Sequence, residues 1–377
     1  MIPLFKNSFN NKELQRVQDV VKRGMYWANG PEISEFESQI STLTGMKFCL
    51  VFNSGTSAGH AVIDCLDIGP GDEVIVPSFT FIATANWCLM NGAKPVFADI
   101  ETETFGLDPK SVLSKVTEKT KAIMPIHYGG NPCLIEELKV IADNHNLILI
   151  EDAAESLGSS VNDRPVGSFG KASIFSFTPT KVISTGEGGA VVTDDENLYQ
   201  KMKLFRSHGR VENEDYFNST DYMDYVSLGY NFRMASICAA LGVSQMEKLD
   251  EFIEKRQSIG KKYITNLGGI PDLILPKTNK SVTNVFQMFS ILVKDGRKRR
   301  DALQKYLRDN DIITKVYFEP VHKTKHYKKF KSNYSDLSVT EELSNQTLSL
   351  PIFPSLLDSE IEFISSKIVD FFGGIKK

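Results

Sequence analysis

The chain has 377 residues, of which 41% are hydrophobic and 24% charged, with a formal net charge of −4. This apolar content excludes a disordered or collagen-like chain, and the near-neutral charge excludes a global attraction to nucleic acid. At about 150 residues per domain, the length predicts two or three domains. Five cysteines without a metal-ligand spacing, no secretion signal and no long apolar run lead us to expect a cytoplasmic protein without membrane contact.

Short apolar runs and helical patterns alternate between residues 47 and 193. The runs predict buried strands at 48–52, 73–77, 95–100, 121–128, 147–152, 173–177 and 189–193, and helical spacing lies between them at 57–66, 80–91 and 134–145. Near-continuous apolar strands that alternate with helices predict an α/β fold with a mostly parallel sheet covered on both faces. The last two runs lie too close together for a helical crossover, so we expect an antiparallel hairpin and a mixed sheet.

The C-terminal third has a different order of elements. The pattern predicts a long helix over 234–266, strands at 286–293 and 312–318, and helices at 295–310 and 359–371. We therefore expect a large domain at 1–250 that carries an N-terminal arm, and a small α+β domain at 251–377.

Two segments that follow predicted strands could hold an anionic and a cationic group. The turn at 53–57 (NSGTS) precedes a helix, whose free N–H groups and dipole bind phosphate; an ordinary turn with a Ser or Thr cap is the alternative. Asp152, in 151–155 (EDAAE), ends an apolar run, so its carboxylate needs a cationic partner such as a protonated pyridine nitrogen. A helix N-cap is the alternative for this acid.

Two further segments carry basic residues. Lys181 ends 176–181 (SFTPTK) and precedes the Gly-rich 185–189 (TGEGG), where apolar surroundings favour a neutral, Schiff-base-forming amine; a surface lysine is the alternative. In the segment 229–233 (GYNFR), the Asn and Arg side chains could bind a phosphate or a carboxylate. Helix capping and surface packing are the alternative roles. His322 and His326 have helical metal-ligand spacing but no third ligand, so we expect no metal site.

Together these segments resemble the DegT/DnrJ/EryC1/StrS family of sugar aminotransferases. That family depends on pyridoxal 5′-phosphate (PLP) and has the aspartate aminotransferase-like fold, PLP fold type I. The resemblance covers almost the whole chain and rests on the order of many matches: 26–31 (YWANGP), 53–58 (NSGTSA), 71–86 (GDEVIVPSFTFIATAN), 92–100 (GAKPVFADI), 126–130 (IHYGG), 151–159 (EDAAESLGS), 175–181 (FSFTPTK), 185–189 (TGEGG), 206–210 (RSHGR), 229–234 (GYNFRM) and 319–322 (EPVH).

The resemblance implies roles for matching positions. Lys181 would hold PLP as a Schiff base and move the proton, while Asp152 would pair with the pyridinium nitrogen. Phe81 would stack on the cofactor ring. The residues implied to bind the cofactor phosphate are Gly55, Thr56, Ser57 and Ser176, joined by Asn231 of the neighbouring subunit. That last role implies a homodimer with shared active sites.

The chain also departs from the family pattern. Glu155 stands where Gln or His is frequent beside the phenolic oxygen of the cofactor. Some family members that aminate C4 of a sugar carry Glu at this position, so the resemblance favours a 4-keto sugar. Thr178 stands where His or Asn is frequent. One branch of the family replaces the lysine by His and removes a sugar hydroxyl, so the presence of Lys181 indicates transamination.

The resemblance implies a reaction that takes the amino group of L-glutamate to a nucleotide-linked 4-keto-6-deoxyhexose. The product would be a 4-amino-4,6-dideoxy sugar nucleotide for surface polysaccharide or glycan biosynthesis. Amination at C3 and a non-catalytic sensor of PLP or a sugar nucleotide are the alternatives. Candidate substrate-binding residues, each with a purely structural alternative, are Tyr26, Trp27, Asn29, His127, Arg233 and His322.

Overall fold

The computed structural model describes residues 1–211, 220, 222–277, 279–330 and 336–373. Its helices are α1 (Asn11–Arg23), α2 (Pro31–Thr44), α3 (Gly55–Cys65), α4 (Ala83–Met90), α5 (Pro109–Lys115), α6 (Ile135–Asn144), α7 (Glu196–Arg206), α8 (Ser236–Met246), α9 (Leu249–Leu267), α10 (Arg297–Asp309), α11 (Ser338–Gln346) and α12 (Asp358–Phe371). Its strands are β1 (Phe48–Phe52), β2 (Glu73–Pro77), β3 (Lys94–Ala98), β4 (Thr120–Ile123), β5 (Ile148–Asp152), β6 (Ser160–Val161), β7 (Arg164–Pro165), β8 (Ala172–Ser176), β9 (Gly189–Thr193), β10 (Leu273–Ile274), β11 (Val282–Thr283), β12 (Phe289–Val293) and β13 (Thr347–Leu350).

Seven of the strands in the described part of the chain form one mixed sheet, in the order β1-β9-β8-β5-β4-β2-β3. The strand β9 runs antiparallel to β1 and to β8, and the other neighbours pair in parallel. Every residue of β2 and β9 is buried, as expected for strands with helices on both faces. The predicted α/β fold and the β8–β9 hairpin are therefore confirmed.

The predicted strand at 121–128 ends at Ile123, earlier than the pattern indicated. Pro125 has no N–H group for a ladder, but its carbonyl accepts from Asp152 N–H at 2.9 Å. His127 N–H in turn donates to the Asp152 carbonyl at 3.1 Å. The chain after β4 thus continues alongside β5 and places His127 next to Asp152, the last residue of that strand.

The prediction of one helix over 234–266 is wrong in one respect, because α8 ends at Met246 and α9 begins at Leu249. Gln245, just before the break, donates to Glu13 at 2.7 Å, and Lys248 forms an ion pair with the same carboxylate. Both halves keep an apolar face, so helical periodicity alone does not reveal the change of direction.

A second, three-stranded sheet has the order β10-β12-β13 and belongs to a separate hydrophobic core with α9, α10 and α12. The prediction of a strand at 312–318 is wrong: this segment makes only isolated bridges, such as Lys315 with Ser349. Ile2 also joins this core and pairs with Ile312. Since α9 packs into both cores, through Phe252 at one end and Tyr263 at the other, the boundary near residue 250 stays a prediction.

Two features are absent from the described ranges. None of their helices is long and apolar enough to cross a membrane. Within the same ranges, no group of three or more His, Cys, Asp or Glu side chains could hold a metal ion.

Candidate active site

A cleft opens where the parallel strands β5 and β8 end. Carboxyl ends of neighbouring parallel strands meet at one edge of a sheet, which is where α/β folds bind ligands. Residues from seven segments line the cleft: Ser54, Gly55 and Thr56; Phe81, Ala83, Thr84 and Trp87; Ile126; Asp152, Ala154 and Glu155; Ser176, Thr178, Thr180, Lys181 and Glu187; Met288; and Lys315, Tyr317 and Phe318.

Lys181 presents its amine to this cleft. Its side chain is 14% exposed, and Nζ donates to Glu155 Oε1 at 3.3 Å. The Glu155 side chain is 1% exposed, and its other oxygen accepts from Gly129 N–H at 2.8 Å. The lysine is therefore held in a defined direction by a carboxylate that is itself fixed by the backbone.

Asp152 is the second buried acid of the cleft wall. The Thr84 hydroxyl donates to its Oδ2 at 2.6 Å, and Ala154 N–H donates to its Oδ1 at 3.1 Å. Burial raises the pKa of Asp152 above its ordinary value, and these two donors do not compensate. A cation placed in the cleft would stabilise the ionised carboxylate.

The N-terminus of α3 also lines the cleft. Ser54 caps it by accepting from Ser57 N–H at 3.0 Å, and the N–H groups of Gly55 and Thr56 precede any partner within the helix. A Cβ on Gly55 would lie 3.0 Å from Ser176 Cβ. A Cβ on Gly189 would lie 2.5 Å from Gly55 N, so these glycines let three chain segments meet around a small concave surface.

Phe81 is one of the aromatic residues that line the cleft, and 56% of its surface is exposed. Its ring centroid is 6.3 Å from that of Phe318. An apolar ring open to a cleft gains from covering by a planar ligand, so the ring can stack on an aromatic group.

His127, a predicted substrate residue, does not reach the cleft surface. It is fully buried; its Nδ1 accepts from Cys133 N–H at 3.2 Å, which assigns the ring proton to Nε2. Nε2 then donates to Glu151 Oε2 at 3.1 Å. Both ring nitrogens are therefore engaged, one by Cys133 and the other by Glu151, and the ring supports the Glu151 carboxylate.

His322 is also packed away from the cleft and is 6% exposed. It interacts with the Ser78 hydroxyl at 2.7 Å and with Glu341 Oε1 at 3.1 Å. Burial lowers the pKa of His322 below its ordinary value. The ring links the end of β2 to α11.

The remaining predicted residues lie outside the lining of this cleft. Ser57 uses its hydroxyl to donate to Asn53 Oδ1 at 2.7 Å. Trp27 donates from its indole nitrogen to the Val20 carbonyl at 3.1 Å and remains 49% exposed. Outside the lining with them are Tyr26 and Asn29 of the same loop and Asn231 and Arg233 near the start of α8.

Sequence reasoning missed several residues of the cleft wall. The sequence signal for Thr84 is its helical spacing of four residues from Thr80. In the structure the two hydroxyl oxygens are 2.8 Å apart. Glu187 lies within the Gly-rich segment 185–189, where the sequence offers no signal that distinguishes it from a surface carboxylate. The C-terminal contributors, Met288, Lys315, Tyr317 and Phe318, are more than 100 residues away along the chain from Lys181 and carry no local signal.

Comparison with known proteins identifies the family. The model of the DegT/DnrJ/EryC1/StrS aminotransferase family matches residues 7–369. A relative named GDP-perosamine synthase, from Escherichia coli O157:H7, is 35% identical over 371 residues, which are 98% of this chain and 98% of that protein.

Two solved structures share the fold. PseC of Helicobacter pylori, an aminotransferase involved in the biosynthesis of pseudoaminic acid, has a TM-score of 0.93 and 28% identity, over 98% of this chain and 99% of that one. Spr1654 of Streptococcus pneumoniae, solved in its PMP form, has a TM-score of 0.93 and 25% identity, over 99% of each chain. The chain belongs to the DegT/DnrJ/EryC1/StrS aminotransferase family.

Proposed function

We propose that the chain is a PLP-dependent sugar aminotransferase. It transfers the amino group of L-glutamate to a nucleotide-linked 4-keto-6-deoxyhexose and releases a 4-amino-4,6-dideoxy sugar nucleotide. The observation that carries the proposal is the amine of Lys181, held in a cleft that it shares with the buried acid Asp152. The family supports amino transfer, the relative named GDP-perosamine synthase supports a nucleotide-linked sugar, and the PMP form of Spr1654 supports the cofactor.

The residues of the cleft fit the phosphate, the ring nitrogen, the aldehyde carbon and the ring face of PLP. The first N–H groups of α3, at Gly55 and Thr56, with the nearby Ser176 hydroxyl, suit the phosphate. The buried carboxylate of Asp152 suits a protonated ring nitrogen, because such a cation offsets the burial that raises its pKa. Lys181 suits the aldehyde carbon, and the open ring of Phe81 suits the face of the pyridine.

Each side chain then has a distinct task in the reaction. When bound, PLP supplies an electron sink for negative charge at the substrate carbon. Lys181 binds the cofactor, and its amine moves a proton to and from that carbon. Glu155 orients this amine, and Thr84 donates to Asp152 Oδ2 and so fixes the carboxylate that would pair with the ring nitrogen.

Lys315 is our candidate for binding a donor carboxylate. Apart from Lys181, it is the one cationic residue that lines the cleft in the described part of the chain. Its Nζ lies over the Tyr317 ring at 4.9 Å, and its backbone is tied to Ser349 by two hydrogen bonds. An ammonium group on an anchored backbone is suited to an anionic substrate.

A homodimer with shared active sites is part of the proposal. Tyr26, Trp27, Asn29 and Asn231 do not line the cleft of their own chain, and the last three are exposed. A second copy of the chain would use Asn231 at the cofactor phosphate and the loop residues at the sugar nucleotide. Arg233 remains a further candidate for the substrate.

The test combines trapping with product analysis. We expect borohydride to attach the cofactor covalently to Lys181, as read by peptide mass spectrometry, and Lys181→Ala to lose both this attachment and amino transfer from glutamate. Lys171→Ala, which removes a surface lysine paired with Asp195, is the matched control.

A panel of keto-sugar nucleotides, with mass spectrometry and NMR of the product, then locates the new amine. An amine on C3 would contradict the proposed substrate. Cofactor binding without formation of 2-oxoglutarate from glutamate would instead favour a non-catalytic role.

A further inference from the structure

The segment Phe286–Met288, which leads into β12, connects the C-terminal core to the cleft. Phe286 belongs to that core, whereas the Met288 side chain lines the cleft wall. Between them, Gln287 is 5% exposed. The segment therefore spans the distance between the second core and the residues around Lys181.

Gln287 contacts the chain immediately before the lysine. Its Nε2 donates to the Thr180 carbonyl at 2.8 Å. A carbonyl oxygen can only accept, so the amide nitrogen must face it. This bond holds the peptide group that joins Thr180 to Lys181, and at this degree of burial water cannot readily replace it.

Met288 contacts Gly129, the residue whose N–H group binds Glu155, the ion-pair partner of Lys181. Met288 N–H donates to the Gly129 carbonyl at 3.0 Å, and Gly129 N–H donates to Glu155 Oε2 at 2.8 Å. Glu155 Oε1 accepts from Lys181 Nζ at 3.3 Å. Two adjacent residues of one segment thus position both members of the Lys181–Glu155 ion pair.

The segment is itself held by a buried arginine. Arg256 of α9 is 3% exposed, and its Nη1 donates to the carbonyls of Phe286 at 3.2 Å, Gln287 at 3.4 Å and Ile352 at 3.3 Å. Hydrogen bonds from an ionised donor are stronger than neutral ones. The backbone that carries the Gln287 amide is therefore fixed independently of the Lys181 loop.

We infer that Gln287 is a positioning residue that sets the direction of the Lys181 amine through the Thr180 carbonyl. The inference rests on the proposed role of Lys181 but not on the identity of either substrate. It predicts that loss of the amide donor alters the chemistry of Lys181 more than the folding of the chain.

The experiment compares Gln287→Met with Gln257→Met. Gln257 on α9 makes the same kind of bond, from Nε2 to the Asn284 carbonyl at 3.1 Å, and Asn284 does not line the cleft. In the apoprotein, Lys181 is labelled with an amine-reactive reagent over a range of pH and followed by peptide mass spectrometry. In the loaded enzyme, kcat and KM are measured for the glutamate half-reaction.

We expect Gln287→Met to displace the pH midpoint of Lys181 labelling and to lower kcat by about 10- to 100-fold, the size of effect of a small misplacement. We expect KM to change little and Gln257→Met to match wild type in every measurement. Gln287→Glu adds a rescue: the protonated acid donates to Thr180, so its kcat relative to wild type rises toward acid pH, whereas that of Gln287→Met does not.

A Gln287→Met protein with wild-type labelling, or one that does not fold, would overturn the inference. So would a Gln287→Glu protein without recovery at acid pH. If the two variants differ from each other in Lys181 labelling as expected, but the wild-type enzyme aminates no keto sugar, only the proposed function is contradicted. The two failures are therefore distinguishable.

Discussion

Glu151 and Asp152 are consecutive residues at the carboxyl end of β5, yet their side chains enter two different regions of the molecule. Successive side chains of a strand point to opposite faces. Glu151 enters a closed shell of donors: His127 Nε2, the N–H groups of Gly167, Phe169 and Gly170, and the Ser173 hydroxyl. Asp152 enters the cleft, where Thr84 and Ala154 donate to it.

The pKa values of the two acids move in opposite directions for this reason. Burial opposes the ionisation of Glu151, but hydrogen bonds from His127 and the backbone hold its pKa below the ordinary value. Burial of Asp152 outweighs its two donors and raises its pKa. The comparison teaches that a saturated acid supports the fold, whereas an acid with few donors in a cleft is suited to an external cation.

The largest effect that we expect is a loss of activity on substitution of Asp152, the acid in the cleft. Asp152→Asn removes the proposed partner of the cofactor ring, so we expect kcat to fall by about 1,000-fold. The free energy of unfolding of the apoprotein should stay level or rise, because a neutral amide avoids the burial of a charge. Steady-state kinetics and urea unfolding measure both quantities; a large loss of stability with unchanged kcat would reverse our assignment of Asp152.

The reverse pattern is expected for the neighbouring acid. Glu151→Gln places an amide group among donors, and we expect the free energy of unfolding to fall by about 3 kcal/mol. Activity per folded molecule should stay close to wild type. Urea unfolding tests this, with the exposed Glu137→Gln as control. Loss of activity without loss of stability would mean that Glu151 takes part in the reaction, and would contradict our distinction between Glu151 and Asp152.

The pH dependence of apoprotein stability gives the smallest and sharpest test. Because the pKa of Glu151 is lowered, its stabilisation is present above its ordinary value of 4.5 and is lost as the pH falls through the folded value. Because the pKa of Asp152 is raised, the folded chain binds that proton more tightly, and falling pH relieves a destabilisation.

We therefore expect Glu151→Gln to lose less stability on acidification than wild type, and Asp152→Asn to lose more. Urea unfolding at a series of pH values measures both trends. Shifts of the same sign in the two variants would contradict the assigned directions.

Local pattern was sufficient for much of the fold and for part of the site. The strands at 48–52, 73–77 and 189–193 match β1, β2 and β9, because apolar runs bounded by turns leave few alternatives. Asp152 and Lys181 share a cleft because Asp152 ends β5 and Lys181 follows β8, the neighbouring parallel strand. Helical periodicity failed at the break after Met246, since both flanking helices keep an apolar face.

By itself, the sequence determined the α/β order, the family and the candidate residues that follow strand ends, since these depend on neighbours along the chain. Only the tertiary structure decided which of those residues reach the cleft. It buried His127 against Glu151 and brought Gln287 to the Thr180 carbonyl, across 107 positions. The physical reason is that burial and hydrogen-bond partners depend on packing between distant segments, which no local pattern of residues records.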